Sequence, residues 1–184
     1  SVAISDLRQK NRTNAKILAE KALGDSGCMN PDPEDEQPDP HTPVRPNTIC
    51  VSIAAYRDDE CKDTVWQMFD KADNPDNIFA GVVQQTKLAQ EDCLDKCEDC
   101  RKRKESGHIR VLSYDFKEAK GPCYARYKAS TLWKGEEWYL QIDSHMQFEK
   151  GWDTTLISEM ERTNDPMAIV GGYPPTPEQM KEFK

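Results

Sequence analysis

From Thr48 onward, apolar runs rich in β-branched residues alternate with stretches of helical spacing, and that alternation limits the fold more than any other feature. "TICVSIAAY" (48–56) reads as a central strand. In "ECKDTVWQMFDKA" (60–72), Val65, Met68, Phe69 and Ala72 recur at the period of a helix. "NIFAGVVQQ" (77–85) and "HIRVLSYD" (108–115) are further strands, and "PCYARYKASTLWKG" (122–135) is a second helix ended by Gly135. "EWYLQID" (137–143) is the next strand, "GWDTTLISEMERT" (151–163) a third helix, and "PMAIVGGY" (166–173) a last strand. This order predicts an α/β sheet, mostly parallel, with flanking helices. Ligands of such sheets sit at the carboxyl ends of the strands. Two polar clusters fall at such ends: Tyr56-Arg57-Asp58 and Asp143-Ser144-His145.

The chain ahead of this pattern is of another kind. Residues 1–24 read as one N-terminal helix, with Ser5 or Asp6 as cap and Gly24 as stop. The segment 25–47 holds "CMNPDPEDEQPDPHTPVRPN", with six of the twelve prolines and five acidic residues. Proline removes N–H donors and the acids repel one another, so an extended linker is expected there. The compact domain is expected over 48–184. A net charge of -8 argues against non-specific nucleic-acid binding, and no apolar run is long enough to span a membrane. Seven cysteines leave the compartment open, and the sequon Asn11-Arg12-Thr13 matters only in a secretory one.

Four short motifs carry chemistry. Asp143 and His145, two apart at a strand end, offer a carboxylate oxygen and an imidazole nitrogen to one divalent ion such as Mn²⁺. A turn bearing an exposed His gives the same pattern. "GPCYARY" (121–127) starts a helix on Gly121-Pro122, whose free N–H groups and positive dipole end suit an anion, with Arg126 in reach of a phosphate. Ser52, Tyr56 and Arg57 suit the stacking of a base and a bond to a ribose. "CLDKCEDC" (93–100) has the C-x3-C-x2-C spacing of radical-SAM iron–sulfur sites. The charged insertion behind it and the short remaining chain suit zinc, a local disulfide or free thiols better.

Taken in order, "VSIAAYRDDEC", "NIFAGVVQQ", "IRVLSYDFKEAKGPCYARYKASTLW" and "EEWYLQIDSHMQFEKGWDTTLI" resemble the GlcNAc-transferase family. Its best-known type modifies hydroxyproline on the adaptor subunit of SCF ubiquitin ligases. The resemblance runs from about Thr48 to Pro175 and is strongest over 118–157. The same stretch is more distantly similar to the polypeptide GalNAc-transferases, in which an Arg-bearing helix precedes a strand ending in D-S-H and then a G-W.

The resemblance implies a GT-A fold with a Rossmann-like sheet, and a UDP-GlcNAc donor bound through Mn²⁺ or another divalent cation. It implies Asp143 and His145 as metal ligands at the diphosphate, with Asp143 also counted at the donor site. Ser52, Tyr56 and Arg57 would lie along the uridine, Arg126 near the phosphates or donor sugar, and Asp115 at the donor site. Gly151-Trp152 would pack behind the motif. The implied activity is retaining transfer of N-acetylglucosamine to a hydroxyl of a protein acceptor, on hydroxyproline or Ser/Thr, with no catalytic base assigned. Family domains run on past the "YPP" segment, so the resemblance implies the nucleotide-sugar half here, with the acceptor half truncated. The alternative is an inactive nucleotide-sugar-binding or interaction module derived from such an enzyme. The resemblance implies a cytoplasmic location, or the Golgi lumen behind an upstream anchor.

Overall fold

Four parallel strands in the order β3-β2-β1-β4 form the centre of the computed structural model, which describes residues 39, 41–87, 94, 96–165 and 167–172. The strands are β1 (Arg45–Tyr56), β2 (Ile78–Thr86), β3 (Ile109–Asp115) and β4 (Glu136–Asp143). The helices are α1 (Cys61–Asp70), α2 (Glu98–Glu105), α3 (Pro122–Ser130) and α4 (Trp152–Arg162). The α/β, Rossmann-like arrangement expected from the alternating pattern is present, and every strand pair is parallel. The expected N-terminal helix, most of the linker, and Cys28 and Cys93 lie outside the described residues.

β1 is central because its residues are apolar on both sides. Ile49, Val51, Ile53 and Ala55 pack on one face against Val65, Met68 and Phe69 of α1, Cys100 of α2 and Trp152 of α4. Full burial of each large aliphatic side chain in that layer is worth about 1.5–3 kcal/mol relative to leaving it in water. The opposite face takes α3, through Ala125 and Ala129 against Val83. Parallel crossovers are right-handed, so steps from β1 to β2 to β3 keep their helices on one face. The return from β3 to β4 reverses direction and carries α3 to the other. Close approach of α3 is possible because Gly81 has no Cβ: one built there would lie 3.1 Å from the Ala129 carbonyl oxygen.

Three expectations are corrected. The helix predicted to end at Gly135 stops at Ser130. There the hydroxyls of Ser130 and Thr131 donate to the carbonyls of Tyr127 and Lys128, at 2.6 and 2.7 Å, and the chain leaves the helix. Of the last strand, predicted over 166–173, the described residues 167–172 carry none. A strand needs a ladder partner, and Ile169 and Val170 instead lie 95% and 53% exposed. The charged stretch after the cysteines, predicted as an insertion, contains α2. Glu98 pairs with Lys102 across one turn at 3.0 Å, and Cys100 anchors the helix in the core.

At the amino end of the sheet, Glu136 is buried at the start of β4 and tied to three places at once. Its Oε1 meets Arg45 of β1 and, at 2.7 Å, Arg110 of β3, while Oε2 accepts from the Lys134 N–H at 2.8 Å. Arg45 and Arg110 both lie over the Phe79 ring of β2, 4.4 and 5.1 Å from its centroid. The starts of all four strands are thus joined through one carboxylate and one aromatic ring.

Candidate active site

β1 neighbours both β2 and β4, and the chain path reverses there, so the switch point at which sheets of this kind form a ligand crevice falls at the carboxyl ends of β1 and β4. Ala54 is level with Asp143 across that pair. The loops that continue from the two strands carry the two polar clusters, and they meet. Ser144 donates its hydroxyl to Oδ2 of Asp58 at 2.5 Å, and Nδ1 of His145 lies 3.0 Å from the same oxygen. The other oxygen, Oδ1, accepts from the Glu60 N–H at 2.9 Å. Partial burial works to raise the Asp58 pKa, but these hydrogen bonds hold it below the ordinary carboxylate value. The bond to Asp58 in turn raises that of His145.

The loop after β4 is fixed from beneath by α1. The Thr64 hydroxyl, buried, lies 2.8 Å from the Ser144 carbonyl and accepts from the Met146 N–H at 2.9 Å. Behind it, the Trp152 indole N–H donates to the Met68 carbonyl at 2.8 Å and packs on Phe148. Gly151 takes a φ of 72°, and a Cβ there would come 2.8 Å from the Asp73 carboxylate. Asp153 accepts from the N–H groups of Asp73 and Asn74 at 2.8 and 2.9 Å, clamping α4 to the loop that follows α1.

Most of the sequence-predicted site residues reach this end of the sheet. Asp143 is exposed and pairs with Arg126 of α3 at 2.9 Å. Tyr56, 53% exposed, ends β1 level with Gln85, and Asp115 ends β3 two strands away. Asp115 is occupied in capping its own turn, accepting from the Lys117 N–H at 2.9 Å. Arg57 has a φ of 49°, with its guanidinium 4.9 Å from the Phe116 ring centroid and its N–H on the Gln85 carbonyl at 3.1 Å. Ser52 is not brought to the crevice: it is buried four residues upstream of Tyr56, about 13 Å away at the rise of a strand. Sequence reasoning placed Asp58 in a polar cluster without giving it a role, and missed Thr64.

The donor set fits a divalent cation in one respect. A metal-ligating His commonly gives its other ring nitrogen to a carboxylate, and here Asp58 engages Nδ1, leaving Nε2 for an ion. Asp143 lies two residues away with an exposed carboxylate. Among the described residues no group of three His, Cys, Asp or Glu side chains is arranged to hold a metal.

The sequence model of the family described as glycosyltransferase (GlcNAc) matches residues 48–106 and 95–183. This chain belongs to the GlcNAc glycosyltransferase family. No curated protein and no solved structure gives a match. The matched residues take in both strand-end clusters, so the crevice of this glycosyltransferase is built from family sequence throughout. Among the described residues, no helix is long and apolar enough to cross a membrane.

Proposed function

We propose that this family member transfers N-acetylglucosamine from UDP-GlcNAc to a hydroxyl of a protein, and that Asp143 and His145 hold a divalent cation for the donor. The observation that carries this reading is the convergence of the two strand-end clusters on Asp58. It turns a flexible D-S-H loop into a positioned one. A cation bound there would neutralise the diphosphate and stabilise it as a leaving group.

The chain's own groups supply the rest. Arg126 stands 2.9 Å from Asp143, where a guanidinium is placed to meet phosphate oxygens bidentately. Its exposed ion pair is worth about 0–1 kcal/mol, so little opposes its exchange of partner. Tyr56 offers an exposed ring at the end of the central strand, suited to stacking on the uracil. The acceptor is a hydroxyl of hydroxyproline, Ser or Thr.

Hydrolysis of UDP-GlcNAc, followed with and without Mn²⁺, tests this reading. Asp143→Asn should lower the rate by about 100-fold or more, since the ion supplies several kcal/mol at the transition state. A rate indifferent to chelator and to that substitution would refute the mechanism. A second reading, binding of the nucleotide sugar without turnover, is favoured by the lack of a third ligand among the described residues. Calorimetric binding of UDP in the absence of hydrolysis would select it.

A further inference from the structure

Cys97 and Cys100 form a disulfide on the face of the sheet that carries α1 and α2, and the transferase reading gives it no task. We propose that this pair is a thiol–disulfide exchange site, with Cys97 as the sulfur open to attack and a dithiol or disulfide as its reaction partner.

The bond joins residues three apart, with Cα atoms 5.2 Å from one another. A cross-link stabilises mainly by closing a loop in the unfolded chain, and one this short removes little freedom. It also ties no strand to another, since Cys97 caps α2 and Cys100 lies in the first turn of the same helix. Packing already fixes the segment, through Leu94 and Cys100 at 0% and 1% exposure. A structural role is therefore poorly served by this bond.

A reactive role is better served. The two sulfurs are unequal: Cys100 is buried, whereas Cys97 is half-buried and lines an open cleft of about 350 Å³. Trp66, 43% exposed, contributes to the wall of that cleft, whose charged lining is mixed, with Lys62, Lys96 and Lys102 beside Asp63, Glu98 and Asp99. The Cys100 N–H donates to Cys97 Sγ at 3.2 Å, and the amino end of α2 points its positive dipole at the same atom. Both features favour negative charge on Cys97 once the bond opens.

The exchange balances without a further reagent. A thiolate of the dithiol attacks Cys97 Sγ, the S–S bond breaks, and its electron pair leaves on Cys100 Sγ, which takes up a proton. The partner's second thiol then attacks its own sulfur in the mixed disulfide and releases Cys97 as a thiol. Two electrons and two protons have passed to the protein, and the partner departs as a disulfide.

The test uses the native chain with dithiothreitol as the dithiol, acid quenching, alkylation and peptide mapping. Exposed Cys123 serves as the free-thiol control. The disulfide should open without denaturant, with far-UV circular dichroism and Tm unchanged. Treated with glutathione disulfide, Cys100→Ser should trap a mixed disulfide on Cys97 at least about tenfold faster than Cys97→Ser traps one on Cys100. A bond that resists dithiothreitol until the chain unfolds overturns the proposal, and this arm needs no variant. Equal trapping at the two sulfurs overturns the assignment of Cys97.

Discussion

Asp58 shows how one carboxylate organises the crevice. It holds a hydroxyl, an imidazole and a backbone N–H, and two of those partners come from a loop 86 and 87 residues further along the chain. Asp58→Asn keeps the volume but removes the charge that orients the ring of His145. Partners of this kind are worth 10–100-fold in metal affinity, so Mn²⁺ binding followed by electron paramagnetic resonance should weaken by about that factor. An unchanged affinity would separate Asp58 from the proposed cation site. Nothing local in "YRDDE" distinguishes Asp58 from Asp59, because the contact that does so is made across the sheet. Asp143 and His145, by contrast, stand out as candidates in the sequence because a strand precedes them and Gly151-Trp152 follows, whereas the two-residue spacing alone suits an exposed turn equally well.

Elements differ in how much of their cause lies within themselves. α1 is legible because four apolar residues repeat along it. α2 is not, because its eight residues hold one apolar side chain, Cys100. Its signal is electrostatic, with acids in the first turn and bases in the last. The start of β4 depends on Glu136, which a strand pattern would leave in water. Glu136→Ala leaves Arg110 largely buried beside no carboxylate, and breaking such a pair costs about 3–5 kcal/mol. Urea unfolding should show that loss as a lowered midpoint. Asp153 binds α4 to the loop after α1, and those backbone N–H groups outweigh burial in holding its pKa below the ordinary carboxylate value. A depressed carboxylate stabilises fully above its unfolded value, and the contribution is lost as pH falls through the folded one. Asp153→Asn should therefore be less stable at neutral pH and decline less below about pH 4, read by thermal melts across that range.

The whole sheet is anchored from its two inner strands outward. Amide hydrogen exchange should be slowest in β1 and β2, where residues 48–53 and 80–85 are buried without a break. Exchange should be faster in β4, where exposed residues alternate with half-buried ones, and fastest over 167–172. Comparable protection along 167–172 and β1 would contradict this order. The predicted final strand failed for a reason of the same scale: an apolar run has strand composition whether or not a ladder is there to receive it. At Arg57 the sheet's interest and the crevice's diverge. At a φ of 49°, glycine would sit without the penalty that a side chain meets, of order 1–3 kcal/mol for a sparsely populated backbone. Selection for heat resistance alone would thus drift toward glycine at this position, and an engineered lineage hardened that way would gain melting temperature while losing the guanidinium that rests on Phe116.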